Sequence, residues 1–155
     1  MKIAGKTPSK NEDVVVFKRT DGDIIFKLTP VQNFDAFIAA CPTPEVPKQL
    51  LPGKGQVGMP NDPAYKAAVA HVNVQLMNYI ILESVKNTPD LEWETVKMDD
   101  PTTWGNWETE LREAHFLSPE LEYLLQKVLQ VNALDDSKLE EARDSFLAEQ
   151  QARSS

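Results

Sequence analysis

The sequence predicts a mainly α protein: a small helical domain of four to five helices with an N-terminal β-hairpin and a Pro-rich extended arm. Helix starts are indicated where Asp or Ser precedes Pro and an amphipathic run follows, at Asp62-Pro63, Asp100-Pro101 and Ser118-Pro119. There the polar side chain can cap free amide groups, and Pro suits the first helical position. β-branched residues flank an Asp-Gly turn near the N-terminus, and Pro and Gly are concentrated between residues 42 and 60.

The chain has 155 residues, the size of one ordinary domain, and 41% hydrophobic with 26% charged residues is a globular composition. A single cysteine, Cys41, excludes an internal disulfide and a multi-cysteine metal site, so we expect a reducing, cytosolic compartment. The longest apolar runs fall far short of the roughly 20 residues that span a bilayer, and the N-terminus lacks a signal-peptide core. We therefore expect neither a membrane partner nor export.

The net charge of −8 is unevenly distributed. Residues 1–87 carry ten Lys or Arg and eight Asp or Glu, whereas residues 88–155 carry six against sixteen. A phosphate backbone binds proteins chiefly through clustered cations, so no nucleic acid partner is expected. A basic protein partner fits better, although a negative surface also keeps many small proteins soluble.

Residues 1–13 are polar and aperiodic, which predicts a flexible N-terminal arm. Residues 14–29 predict a β-hairpin, because the apolar runs 14–17 and 24–28 flank the tight-turn pair Asp21-Gly22. An isolated hairpin is marginal in water and must pack on helices or pair with another sheet. Its free edges are a candidate site of self-association, so a homo-oligomer is among the expected partners.

Residues 30–61 predict a short helix followed by a Pro/Gly-rich linker. Phe34, Phe37 and Ile38 recur at helical spacing, and Cys41-Pro42 ends the run. The prolines and glycines that follow are Pro42, Pro44, Pro47, Pro52, Pro60, Gly53, Gly55 and Gly58. We interpret this segment as an extended linker or wrapping arm. Two roles stay open for it, a plain tether and a binding segment.

Residues 62–150 predict a helical domain, whose longest helix is expected from Pro63 to about Lys86. One apolar stripe of this helix is formed by Tyr65, Ala68, Val69, Val72, Leu76, Tyr79 and Ile80. A second stripe beside it is formed by Val74, Met77, Ile81 and Val85. A helix that is apolar over so wide an arc must be covered on more than one side, as the central helix of the domain or partly by another subunit.

Three further helices are predicted. One opens at Asp100-Pro101, one at Ser118-Pro119, and a last one near Ser137, which forms a capping box with Glu140. The three tryptophans are Trp93, Trp104 and Trp107. We expect at least two of them in the core, because two share one helical stripe with Leu111.

No catalytic, cofactor-binding or metal-binding residue is predicted. His71 and His115 lack the partner spacing of a metal site, so both are expected to be structural. Helix capping explains the acidic pairs Asp99-Asp100 and Asp135-Asp136, since a calcium loop needs alternating ligands. Cys41 could act as a nucleophile only with a histidine paired to it in space, for which the sequence has no signature. We therefore expect a protein that is not an enzyme and has no cofactor.

Several segments together resemble the small helical tail assembly chaperones and related tail-morphogenesis proteins of long-tailed bacteriophages. The similarity covers about residues 14–148 and consists of packing and capping patterns. It is carried by Cys41-Pro42-x-Pro44-x-x-Pro47, Asp62-Pro63-x-Tyr65, Leu91-Glu92-Trp93-x-x-Val96, Asp100-Pro101-x-x-Trp104, Leu111-x-x-Ala114-x-Phe116, Ser118-Pro119-Glu120-Leu121 and an ending from Leu134-Asp135 to Phe146-Leu147. One departure is Leu121, which stands where a capping box after Ser118 would place an acid.

The resemblance implies a non-catalytic chaperone of the host cytoplasm that binds the tape measure protein, the tail tube protein or both during tail morphogenesis. A tape measure is a long helical polypeptide, and apolar grooves with an acidic surround would suit its apolar and basic segments. The residues expected to contact such a partner are Val74, Met77, Ile81, Pro44, Val46 and Leu50. Two alternatives stay open: a structural virion protein of tail or capsid that assembles through its hairpin and Pro-rich arm, and an enzyme that uses Cys41.

Overall fold

The computed structural model describes residues 1–8 and 11–134. The elements in chain order are β1 (Asp13–Phe17), β2 (Ile24–Leu28), α1 (Asp35–Ala40), β3 (Lys48–Leu51), β4 (Gly55–Gly58), α2 (Pro63–Val85), α3 (Asn106–Glu113) and α4 (Ser118–Val131). A 3₁₀ turn, Pro101–Thr103, precedes α3. The helix predicted to begin near Ser137 lies outside the described residues.

The prediction of a mainly α protein is wrong. Of the described residues, 41% are helical and 15% are in strands, and the strands form two antiparallel sheets of two strands each. The first sheet, β1–β2, is the predicted hairpin. The second, β3–β4, occupies a segment that we expected to be an extended linker. The described part of the protein is therefore a mixed α/β structure.

A tight turn at Pro52-Gly53 creates the second hairpin. The backbone N–H of Lys54 donates to the carbonyl oxygen of Leu51 over 3.1 Å, and Gly53 has a φ of +77°. Pro followed by Gly at the centre of a turn is the signature of type II, because the third turn position needs a positive φ. The turn brings β4 back along β3, with Leu51 opposite Gly55. The local concentration of Pro and Gly thus marks a chain reversal.

The first hairpin buries one face and exposes the other. Its inward residues are Val15, Phe17, Phe26 and Leu28, all at most 5% exposed. Its outward residues include Val14, Val16 and Ile25, which are between 45% and 57% exposed. This alternation with period two follows from the pleat of a strand and holds the register of β1 against β2.

The inward face of the first hairpin packs with helices α2 and α4, and aromatic rings fill much of the core. Phe17 meets the ring of Phe116 edge to face, with centroids 5.3 Å apart. Tyr79 of α2 lies 5.5 Å from Trp104, measured between ring centroids. Trp104 and Trp107 are both buried, which confirms that at least two tryptophans belong to the core.

Helix α2 begins where the sequence predicts, and its two halves lie in different environments. The carboxylate of Asp62 accepts a hydrogen bond from the backbone N–H of Tyr65 at 3.0 Å, which caps the helix. No residue from 63 to 74 is buried. The second half is buried at Gln75, Tyr79, Ile80, Ile81, Leu82, Ser84 and Val85. Only the second half of α2 is therefore a central core helix.

The Asp100-Pro101 start is confirmed as a cap, but the element that follows is short. The side chain of Asp100 accepts from the backbone N–H of Thr102 at 3.1 Å, and a 3₁₀ turn follows. Helix α3 begins only at Asn106, immediately after Gly105. The low helix propensity of glycine is consistent with this interruption.

Helix α4 begins at Ser118 as predicted, but the Ser118 side chain does not cap it. Ser118 Oγ instead accepts a hydrogen bond from Arg112 at 3.0 Å. The carboxylate of Glu120 accepts from the backbone N–H of Leu117 at 3.0 Å, so the cap comes from inside the helix. Glu120 also forms a bidentate ion pair with Arg19, which ties α4 to the first hairpin.

The outer edge of β2 is closed by the side chain of Thr88. Its hydroxyl accepts a hydrogen bond from the Lys27 N–H at 3.0 Å and donates to the Lys27 carbonyl at 3.3 Å. Just beyond the strand, the N–H of Thr29 donates to the carbonyl of Ser84 in α2 at 3.0 Å. These contacts fix the sheet to the end of α2 and use polar groups that a third strand would otherwise bond.

Candidate functional site

Two surfaces of the described chain are suited to hold a partner. The first, which we call the exposed arm, consists of residues 42–74 and includes β3, β4 and the first half of α2. None of its residues is buried. Its most exposed large apolar side chains are Val46, Leu50, Met59 and Val74.

A shallow groove of about 320 Å³ runs along the helical part of the exposed arm. It is lined by Pro60, Tyr65, Lys66, Val69, Ala70 and Asn73. Tyr65, Val69 and Asn73 follow one another at intervals of four residues, so they lie on one face of α2. The groove therefore follows one face of α2, with the apolar side chains of Tyr65 and Val69 along its centre.

The predicted contact residues of α2 separate along the helix. Val74 is 60% exposed and lies at the end of the exposed arm. Met77 is half-buried and packs against the core. Ile81 is only 2% exposed, so its place among the contact residues is corrected to the core. The second apolar stripe is covered towards its C-terminal end because the core surrounds that part of α2.

The predicted contact residues of the Pro-rich segment all lie in the exposed arm. Leu50 in β3 is 73% exposed and Val46 is 37% exposed, while Pro44 is half-buried. Val46, just before β3, also lies close to Gly58 in β4, since a Cβ built on that glycine would be 3.4 Å from a Val46 methyl group. Four predicted residues, Pro44, Val46, Leu50 and Val74, thus share one unburied region.

The second surface, which we call the acidic cleft, was not predicted from the sequence. It is a cavity of about 440 Å³ between the first hairpin, the segment after α2 and helix α3. Its apolar lining is Ile24, Phe26, Leu91, Trp93, Leu111 and Phe116. Four glutamates also line it: Glu92, Glu94, Glu110 and Glu113.

Glu110 of α3 holds one wall of the acidic cleft in place. Its carboxylate accepts hydrogen bonds from the Glu94 N–H at 2.8 Å, the Thr95 N–H at 3.1 Å and the Thr95 hydroxyl at 2.7 Å. Desolvation by itself would raise the pKa of Glu110, but these donated hydrogen bonds outweigh it and lower the pKa. Glu110 is therefore a fixed anion at neutral pH.

Trp93 is the aromatic side chain of the cleft that is left free for a partner. The indole N–H groups of Trp104 and Trp107 donate to Met98 and Asn78, respectively. Among the described residues, the Trp93 indole N–H has no hydrogen-bond acceptor, and its ring is half-buried. A tryptophan with an apolar body and a free donor is a frequent anchor at protein interfaces.

The sequence contains one signal that could have indicated the cleft. Leu91, Glu92, Trp93 and Glu94 alternate apolar and acidic residues, and their burial alternates with them. Such a segment presents one apolar and one acidic side when extended. The other cleft residues come from β2 and from 110–116, and only the tertiary fold brings these segments together.

Cys41 does not have the environment of a nucleophilic thiol. It is half-buried against the core, and burial raises the pKa of its thiol, whereas a nucleophile needs a lowered one. Within residues 1–8 and 11–134, no group of three or more His, Cys, Asp or Glu side chains is placed to hold a metal ion. No helix in this part of the chain combines the length and apolar content needed to cross a membrane.

Comparison with known proteins finds no matching family model, no matching curated protein and no matching solved structure. The exposed arm and the acidic cleft are therefore the features on which a functional proposal rests.

Proposed function

We propose that this protein is a non-catalytic tail assembly chaperone of a long-tailed bacteriophage. In this proposal it acts in the host cytoplasm, without a cofactor, and binds the tape measure protein, the tail tube protein or both until the tail is assembled. The motif pattern that resembles such chaperones supports the proposal, and so does the presence of an apolar surface that the core does not use.

The exposed arm is the observation that carries this proposal. A helix with apolar side chains normally buries one face, and helical stability in proteins comes mostly from that packing. The first half of α2 contains no fully buried residue, although Tyr65, Val69 and Val74 lie in it, and Val72 is half-buried against the core. A partner that covers Tyr65, Val69 and Val74 would supply the burial that the described chain does not.

A long helical client fits the exposed arm by a known mode of recognition. An amphipathic helix binds by placing its apolar stripe along an apolar groove, with anchors three, four and seven residues apart. The groove from Pro60 to Asn73 runs along α2, so the apolar stripe of such a helix could lie against Tyr65 and Val69. Leu50 and Val46 add apolar surface within the same arm.

The direct test is co-expression of the chain with tail proteins of its own phage, followed by pull-down and sizing. We expect the tape measure protein to stay soluble with the wild-type chain. Leu50→Glu and Val74→Glu should each reduce the soluble fraction severalfold, because a charge in an apolar contact must be desolvated. If the tape measure is equally soluble with and without the chain, the proposal fails.

Leu117→Glu is the matched control for Leu50→Glu. Leu117 is 65% exposed and Leu50 is 73% exposed, but Leu117 lies before α4 and outside the exposed arm. The control should retain full chaperone activity. Equal losses for both variants would show that added negative charge, and not the arm, weakens client binding.

A structural virion protein remains the second candidate. It is favoured by the second hairpin, whose strands pair with each other and bury no residue, so neighbouring copies could contact them. Sedimentation of finished particles separates the two functions. A chaperone is absent from purified virions, whereas a tail or capsid component is present in a fixed copy number.

A further inference from the structure

We propose that the acidic cleft binds a cationic amphipathic segment of a partner protein, with Lys or Arg side chains at the glutamates and apolar side chains on the lining. This inference uses residues outside the exposed arm and does not depend on the tape measure as client. It assigns a second, electrostatically selective binding surface to the chain.

The size and lining of the cleft suit side chains rather than a solvated ion alone. Its volume of about 440 Å³ lies within the range of ligand-binding pockets, about 300–1,000 Å³. Ile24, Leu91 and Trp93 are each half-buried there and retain apolar surface that a partner can cover. Covering such surface favours association, because it removes apolar area from water.

The charges of the cleft select the sign of the partner. Glu92, Glu94, Glu110 and Glu113 line it, and no Lys, Arg or His does. No ion pair among the described residues involves any of these four carboxylates. Like charges gathered around one apolar surface repel one another and attract cations, so a basic segment is the complementary occupant.

Trp93 adds a second reason for a basic occupant. A Lys ammonium or Arg guanidinium placed over an indole ring is attracted by the ring quadrupole, and tryptophan is the strongest of the aromatic residues in this respect. Glu92 and Glu94 flank Trp93 in sequence. One cationic side chain can therefore contact the ring while its charge is neutralised by a neighbouring carboxylate.

The test uses the full chain and three synthetic peptides. The first is an amphipathic helix of Lys and Leu, the second replaces every Lys by Glu, and the third keeps the Lys residues but replaces every Leu by Gly. Binding is followed by calorimetry at low and high salt and by tryptophan fluorescence. We expect the Lys/Leu peptide to bind, more weakly at high salt, and the other two to bind at least tenfold more weakly.

Matched variants separate the cleft from overall charge. Glu92→Gln with Glu113→Gln should weaken the Lys/Leu peptide about three- to tenfold, as expected for the loss of two exposed ion pairs. Glu108→Gln with Glu122→Gln changes the net charge equally, but neither residue lines the cleft. This control should leave the affinity unchanged. Trp93→Phe should abolish most of the fluorescence change while binding persists.

Three outcomes would overturn the proposal: no binding of the Lys/Leu peptide, equal binding of the Lys/Gly peptide, or equal weakening by both pairs of variants. Far-UV circular dichroism and urea midpoints confirm that each variant is folded. Because the peptides contain no tail protein sequence, cleft binding can be demonstrated even if the chain fails to keep a tape measure soluble. Loss of cleft binding would likewise leave the chaperone test unaffected.

Discussion

The two hairpins share a topology and differ in what stabilises them. Both pair two short strands antiparallel. The first hairpin places four large apolar side chains in the core, whereas no residue of β3 or β4 is buried. Because an isolated two-stranded hairpin is at best marginally stable in water, the second one depends on its turn and on whatever covers it.

This difference shows that the apolar residues of the described chain lie in two environments. In the first hairpin and the second half of α2 they build a core. In the exposed arm they stay accessible, so they would add free energy of burial only if a partner covered them, as we propose. The predictions below test whether this division is as complete as the burial pattern indicates.

The largest effect is expected from one leucine of each hairpin. Leu28 is fully buried and Leu50 is 73% exposed. Leu28→Ala should lower the free energy of unfolding by about 2–5 kcal/mol, because it leaves a cavity in the core. Leu50→Ala should change it by less than about 0.5 kcal/mol, as is usual for surface substitutions. Urea unfolding followed by circular dichroism measures both, and similar losses would contradict the division.

A smaller change in the free energy of unfolding is expected when a turn glycine is replaced by alanine. Gly22 has a φ of +134° and Gly53 a φ of +77°, conformations that cost a residue with a Cβ about 1–3 kcal/mol. Gly22→Ala should lower the global free energy of unfolding by about this amount, since the first hairpin is part of the core.

Gly53→Ala should instead act locally. The second hairpin can open without exposing the core, so the global free energy of unfolding should hardly change while the amides of 48–58 exchange faster. Hydrogen exchange by mass spectrometry distinguishes local from global opening. If Gly53→Ala also lowered the global free energy of unfolding, the result would show that β3–β4 is coupled to the core.

The smallest predicted effect is a change in the pH dependence of stability, and it comes from Glu110. Hydrogen bonds from Thr95 and the neighbouring backbone lower the pKa of Glu110 in the folded protein, despite the opposing effect of burial. A carboxyl group with a lowered folded pKa stabilises the fold above its unfolded pKa, and this stabilisation is lost as the pH falls through the folded value. Stability should therefore decline below the ordinary glutamate pKa of about 4.5.

Glu110→Gln should flatten this acid decline, because the variant has no charge to lose. Glu45→Gln in the exposed arm is the control for the loss of one carboxylate, since no ion pair among the described residues involves Glu45. Urea midpoints measured from pH 6 to pH 3 test this. An unchanged slope for Glu110→Gln would show that the ionised Glu110 carboxylate contributes nothing to stability.

The first hairpin and the start of α2 could be predicted from the sequence, because the sequence signals for these elements are local. Two apolar runs rich in β-branched residues around Asp21-Gly22 predict β1 and β2, and Asp62-Pro63 predicts the start of α2. The second hairpin lacks such runs, since its strands contain Gln49, Gln56 and two glycines. Its only strong local signal is Pro52-Gly53, which we took as part of an extended segment.

The two surfaces were predictable to different degrees. Val74 and Leu50 could be proposed as contact residues because they are apolar positions without an obvious core role. Ile81 belongs to the same stripe as Val74, and only the fold shows that the core covers the second half of the helix. The acidic cleft was missed because Glu110 meets Glu94 and Thr95 through tertiary packing.

The hydroxyl of Thr88 acts where a neighbouring strand would otherwise add to the first sheet. It satisfies both backbone groups of Lys27, so a strand from another molecule that approached this end of β2 would find these two groups already bonded. One threonine side chain thus makes this end of β2 a poor template for edge-to-edge pairing.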